Sequence, residues 1–367
     1  MPNNESVEVE IVEASNLEEF IQRIKDIVLS EISENDNTDY QYFFRGENAF
    51  YPTACLPNLF RYKTGNINSN IEFDAYYNTL TLFPEEFKDL SNLDILCKIQ
   101  HYEGITRLLD VTSNPLVALY FAVSNKTKKY NNSSNNKNND DEFEDNCYVY
   151  ILKIEKEKSL SFDSDKALFL STLPKLKNGQ KKCIFEYSSR HENAIIKPRH
   201  LNDKVDNLCC YIFDNCKLNP NEKKAFRKLI YECERERTAL LKNHRLEVKD
   251  LLGTYHVYSR YTNPRIKAQS GSFILFGLQK NQFNNNSRAI DKLINPSDET
   301  IKGHIKQNMP LGYPITVIKI NKKDVNKIKK ELDVICNIND ATMLKDTVSE
   351  FRYVKNLSIN KNKGEQI

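Results

Sequence analysis

The chain has 367 residues, 40% hydrophobic and 28% charged, with 53 basic against 50 acidic side chains and a formal charge of +3. That length suits two or three structural units with a sizeable core, and the composition excludes a disordered or membrane-embedded chain. The near balance of charge gives no global drive toward nucleic acid and leaves room for a local basic face.

Residues 1–10 are acidic and polar, without the basic region and apolar run of a signal peptide. No apolar stretch reaches the ~20 residues that cross a bilayer. Nine cysteines without CxxC or CxxH spacing read as reduced, cytosolic thiols. Cys209, Cys210 and Cys216 cluster, but no histidine or fourth cysteine stands near them at ligand spacing, so no metal site is expected.

In chain order, residues 17–32 set Phe20, Ile24, Ile27, Val28 and Ile32 at helical spacing behind Asn16 as N-cap. Residues 40–45 read as a short aromatic strand that Gly46 ends. Residues 69–80 and, less regularly, 87–100 read as helices. Residues 114–124 carry Pro115 in their first turn and are apolar on most faces, the pattern of a buried helix. A low-complexity polar insertion over 126–145 has the composition of a disordered segment.

Residues 147–154 alternate as a strand, 165–176 read as a helix, and 203–252 as a long, mostly helical block. Strands are expected over 265–277 and 313–320. A helix over 325–335 carries Val325, Ile328 and Leu332 on one face and solvated Lys322, Lys323, Lys327, Lys329 and Lys330. His191, His200, His244, His256 and His304 are scattered and read as surface or packing residues. Without regular βαβ alternation, the fold class is α+β.

Two segments carry the chemistry. Arg45 ends an aromatic strand directly before Gly46. Glycine admits a close approach, and the arginine fork suits phosphate or carboxylate; a buried acid is the alternative partner. The second segment sets Gln100, His101, Arg107, Asp110, Thr112, Ser113 and Asn114 just before the apolar helix. Polar groups there are partly buried and need partners. Arg107 and Asp110 are spaced to pair. Thr112 and Ser113 stand at the helix N-terminus, which suits capping and an anion alike.

Phe44-Arg45-Gly46, Gln100-His101-Tyr102, Thr106-Arg107-Leu108-Leu109-Asp110 and Asn114-Pro115-Leu116-Val117-Ala118-Leu119-Tyr120-Phe121-Ala122 together resemble the FRG domain. Leu56-Pro57-Asn58-Leu59-Phe60-Arg61 and Arg265-Ile266-Lys267-Ala268-Gln269-Ser270-Gly271-Ser272-Phe273 resemble its other segments. Glu103 stands where the family often has glycine, and Val111 where it often has an aromatic residue. The resemblance divides the chain into an extension over 1–16, an FRG core over 17–198, a helical segment over 199–260, closing strands and a helix over 261–345, and a polar tail over 346–367.

The motif order is also similar to that of arginine-type ADP-ribosyltransferases: aromatic-Arg-Gly strand, Ser-Thr-Ser strand leading into an Ala-x-x-Phe-Ala helix, then a late Glu-x-Glu strand. That resemblance implies a split β core with surrounding helices and a helical insertion. It implies NAD as substrate, with Arg45, Gly46, Arg107, Thr112 and Ser113 binding it and Gln269 on the catalytic strand. The usual glutamate is Gln269 or Gly271 here. A glutamine cannot neutralise the cation that develops as nicotinamide leaves. Glu103, Asp110 or Glu47 would have to supply the carboxylate, with His101 as a further catalytic candidate.

A macromolecular acceptor, protein or nucleic acid, follows from the transferase reading, as do cytoplasmic bacterial toxin or anti-phage defence roles associated with the family. A second reading keeps the fold as a non-catalytic nucleotide- or partner-binding module. A third is a metal-dependent hydrolase or nuclease built on His101, Glu103 and Asp110.

Overall fold

The structure is a computed structural model that describes residues 9–29, 39–61, 70–124, 145–198, 211–213, 218–237, 246–258, 260, 264–283, 291–308 and 315–344. The low-complexity insertion up to residue 144, Cys209, Cys210, Cys216, His200, His244 and the polar tail fall outside those residues. Among the described residues eleven strands are formed. They are β1 (Val9–Glu13), β2 (Tyr40–Glu47), β3 (Leu108–Thr112), β4 (Cys147–Glu155), β5 (Ser159–Leu160), β6 (Ile195–Pro198), β7 (Tyr211–Phe213), β8 (Leu246–Glu247), β9 (Thr254–Val257), β10 (Gly271–Phe276) and β11 (Ile315–Ile320).

Eight of them make one mixed sheet in the order β1-β11-β4-β2-β3-β10-β9-β5, and a small sheet runs β7-β6-β8. Only the outer pairs, β1 with β11 and β5 with β9, are parallel. The α+β reading therefore stands. In the middle of the sheet, β2 pairs with β4 over its whole length from Tyr40 to Glu47. On its other side it meets β3 at a single position, Phe44 opposite Thr112. The sheet is two half-sheets joined at one rung.

Strand alternation sorts side chains to two faces. One face packs Phe43, Leu109, Val111, Tyr150, Leu152, Ile274 and Val317 with Ile301 and Ile305 of helix Asp298–Asn308. The other carries two separate clusters. Over the β2–β4–β11 half lie helices Leu17–Leu29, Pro115–Val123 and Val325–Cys336. Over the β3–β10–β9 half lie helices Ile71–Leu82, Asn92–His101, Asp165–Thr172, Asn178–Arg190 and Pro220–Glu236.

Local signals hold at most helix starts. The Asn16 side chain accepts from the Glu19 N–H at 2.9 Å, as its N-cap position predicts. The buried helix is capped by Asn114, whose Oδ1 accepts from the Leu116 N–H, with Pro115 next. Val325, Ile328 and Leu332 are buried together.

Three expectations change. Gly46 does not end β2, which runs on to Glu47; it is instead where helix Pro115–Val123 presses on the strand. A Cβ on Gly46 would sit 1.9 Å from the Ala118 carbonyl oxygen and 2.6 Å from the Ala122 nitrogen. The segment 203–252 is mixed and not a helical block: β7, β8, helix Pro220–Glu236 and the short helix Val248–Leu252 all fall in it. Residues 265–277 form a helix, Pro264–Ala268, then a turn and β10.

Arg107 anchors the β3 half. It is fully buried, its Nε and Nη2 each bond a Glu72 carboxylate oxygen at 2.7 Å, and its Nη1 donates to the Phe276 carbonyl at 2.8 Å. Lys181 Nζ reaches the same carboxylate at 2.5 Å. Burial alone would raise the Glu72 carboxyl, but the two cations hold it down at about 2, from an ordinary 4.5. Burial pulls the Lys181 ammonium down to about 8.

Two outcomes follow. Gly46→Ala has no room, and urea denaturation is expected to show a loss of roughly 2–4 kcal/mol; a variant as stable as wild type contradicts the packing. Glu72→Gln leaves two cations short of their counter-charge and is expected to cost about 3–5 kcal/mol near neutral pH. Because the folded carboxyl lies below its ordinary value, its contribution is complete above pH 4.5 and is lost as pH falls toward about 2. Denaturation at a series of pH values should therefore show wild type converging on the variant across that window.

Candidate functional site

Where β2 and β3 part, a cleft of about 490 Å³ opens. Residues of both sheet faces line it, as happens where neighbouring strands separate: Phe44, Gly46, Asp110 and Thr112 from one, Arg45, Glu47, Val111 and Ser272 from the other. Helix Asn92–His101 contributes Gln100 and His101, and helix Pro115–Val123 contributes Ala118 and Phe121.

Arg45 spans the gap. Its Nη1 donates to the Asp110 carbonyl at 2.9 Å, supplying a bond to β3 where the ladder has stopped. Its Nε donates to Glu47 Oε1 at 3.0 Å, and the Asp110 carboxylate lies 4.0 Å from Nη1. Burial works against the guanidinium charge, but Glu47 and Asp110 outweigh it and raise its pKa. Asp110 also accepts from Gln100 Nε2 at 2.6 Å, and Gln100 Oε1 in turn accepts from the Thr106 hydroxyl.

Thr112 closes the far end. Its hydroxyl donates to the Gln269 carbonyl at 2.7 Å and accepts from the Asn114 N–H at 3.0 Å. One side chain thus ties the start of the buried helix to the turn before β10. Gln269 itself lies in that turn, beside Ser270 at φ 47°, and not on a strand. Its amide Nε2 donates to the Met343 carbonyl at 2.8 Å.

Of the residues that the sequence singles out, Arg45, Gly46, His101, Glu103, Asp110, Thr112 and Gln269 line one cleft. Ser113 is not in its lining; it is exposed and its N–H donates to the Ser270 carbonyl. Arg107 lies elsewhere, paired with Glu72 and not with Asp110, because a fully buried guanidinium needs a buried carboxylate. His256 is a packing residue: it stacks on Phe43, bridges Ser159 and Ser272, and burial lowers its pKa to about 3.

Sequence reasoning leaves out Tyr51, Arg61, Phe121, Arg265 and Ser272, which also line the cleft. Arg61, Phe121, Arg265 and Ser272 have a sequence signal in retrospect, since each sits in a segment of the family resemblance. Glu47 shares the Arg45 side of β2 by alternation. It is buried, with Oε1 shared by Arg45 and Arg61 and Oε2 without a hydrogen-bond partner among the described residues. Among the described residues no group of three His, Cys, Asp or Glu side chains is placed to hold a metal ion.

Glu103 has φ 60°, the left-handed region that favours glycine. This gives a physical reason for the glycine usual at that position, and an exposed glutamate occupies it here on the cleft lining. The strain, about 1–2 kcal/mol for an L-residue, should be released by Glu103→Gly against a similar entropy cost in the unfolded chain. Denaturation is expected to find that variant unchanged or up to about 1 kcal/mol more stable, and Glu103→Val clearly less stable. A large loss on going to glycine would mean that the glutamate side chain holds the turn.

No curated protein matches the chain, and no solved structure matches it. The family model of the FRG domain matches residues 40–131, the stretch that supplies Arg45, Arg61, His101, Glu103, Asp110 and Thr112 to the cleft.

Proposed function

We propose that the cleft binds an NAD-type dinucleotide and breaks its nicotinamide–ribose bond, in the manner of the arginine-type ADP-ribosyltransferases. The observation that carries this reading is the convergence of Arg45 from β2, Thr112 from β3 and Gln269 from the turn before β10 on one opening in the sheet. Those three come from the three motif segments of the resemblance, in the same order.

In this reading Arg45 meets the diphosphate with a charge-assisted fork. The glycosidic bond breaks, nicotinamide leaves with the bonding electron pair, and water or an acceptor nucleophile adds to the ribose carbon. Positive charge develops on the ribose and needs an anion nearby. Gln269 is neutral and its amide is engaged by Met343. Asp110 and Glu103 are the exposed carboxylates of the lining, and Glu47 is a buried one. The neutral Gln269 favours a second reading, nucleotide binding without turnover.

The test uses nicotinamide-labelled NAD and the purified chain. Release of nicotinamide is expected, with Asp110→Asn or Glu103→Gln lowering the rate by roughly tenfold or more if the replaced carboxylate stabilises the cation. Calorimetric binding of NAD without any release supports the binding module. Absence of both binding and release removes the NAD reading.

A further inference from the structure

Glu47 gathers two arginines on one oxygen. Its Oε1 accepts from Arg45 Nε at 3.0 Å and from Arg61 Nη2 at 3.3 Å. The other ends of both side chains are also fixed. Arg45 Nη1 is held by the Asp110 carbonyl, and Arg61 Nε donates to the Leu56 carbonyl at 2.7 Å. Each guanidinium therefore has its plane set by two bonds to the protein.

Each also keeps a donor in hand. Arg45 Nη2 and Arg61 Nη1 have no acceptor among the described residues, and the two side chains are 16% and 24% exposed. Both arginines line the cleft. Two cations share one buried carboxylate, which leaves the pair net positive. The nearest counter-charge is the exposed Asp110 carboxylate, 4.0 Å from Arg45 Nη1. Glu103 is a further carboxylate of the lining, and Arg265 a further cation.

Two neighbouring guanidiniums, preset and each with free N–H, match two linked phosphoryl groups better than one. We propose that Arg45 and Arg61, positioned by Glu47, form a diphosphate-binding subsite of the cleft. Arg61 is then a binding residue in its own right, and Glu47 is a positioning residue whose bonds to the arginines remove the entropy cost of ordering them. The identity of the rest of the ligand rests on the dinucleotide reading above; recognition of the diphosphate does not.

Calorimetry on the full chain with inorganic pyrophosphate, orthophosphate and ADP-ribose tests this. Pyrophosphate and ADP-ribose are expected to bind competitively, and orthophosphate at least about tenfold more weakly. Arg61→Gln should weaken pyrophosphate and ADP-ribose by on the order of ten- to a hundredfold. Asp110→Asn, which removes a competing anion and leaves the packing alone, should tighten both by roughly two- to fivefold. Glu47→Gln separates positioning from charge: removing the negative charge alone would tighten binding, whereas loss of the two-arginine anchor weakens it.

Wild type without affinity for pyrophosphate overturns the proposal, as does Arg61→Gln with affinity unchanged. If Arg61→Gln does not fold, failure of Asp110→Asn to tighten binding overturns it instead. Pyrophosphate binding that depends on Arg61, without NAD cleavage, upholds the subsite and removes the transferase reading. NAD cleavage with Arg61→Gln unimpaired does the reverse.

Discussion

The reach of Arg45 from β2 to the Asp110 carbonyl is the interaction on which the centre of this molecule depends. A sheet that opens must leave backbone groups unpaired along both edges of the gap, and such groups are costly away from water. Here the two strands share the rung at Phe44 and Thr112 and then separate. A guanidinium fills the first vacancy on β3 and carries its charge into the gap. The same residue therefore closes the ladder and makes the opening chemically useful.

The neighbouring features read as support for that opening. Gly46 lets the buried helix lie against β2 within a distance that no side chain would allow. Thr112 links the start of that helix to the turn before β10, so both sides of the gap are referenced to one hydroxyl. Arg107, in the same short segment as Asp110, serves the other half-sheet by binding Glu72 and the end of β10. Both arginines bond a buried carboxylate, but Arg107 is fully buried against Glu72 whereas Arg45, on Glu47, stays partly exposed at a cleft.

Much of this was legible in the sequence where the signal was local. The aromatic strand carrying Arg45, the capped apolar helix after Asn114 and the polar residues between them are short-range patterns, and they mark most of one cleft wall. What was not legible depends on distant partners or on turns. Nothing near Arg107 announces Glu72, 35 positions earlier. The segment around Gln269 has enough apolar residues to read as a strand, but Pro264 opens a helix and Ser270 turns left-handed before β10 begins. Helices Asn178–Arg190 and Asp298–Asn308 were missed because both are mostly polar and show only a few apolar contacts to the core.

The short helix Asp340–Leu344 touches both sides of the gap. Its Met343 carbonyl receives the Gln269 amide, and Asp340 receives the Tyr120 hydroxyl at 2.6 Å from a residue 220 positions earlier. Contacts of such separation carry a loop-closure cost, because a long loop must close before they repay its entropy. During synthesis the segment bearing Arg45 and Thr112 leaves the ribosome long before the residues that brace it. The cleft is complete only once residues through Met343 have been made, so a nascent chain carries its motifs well before it carries the finished pocket.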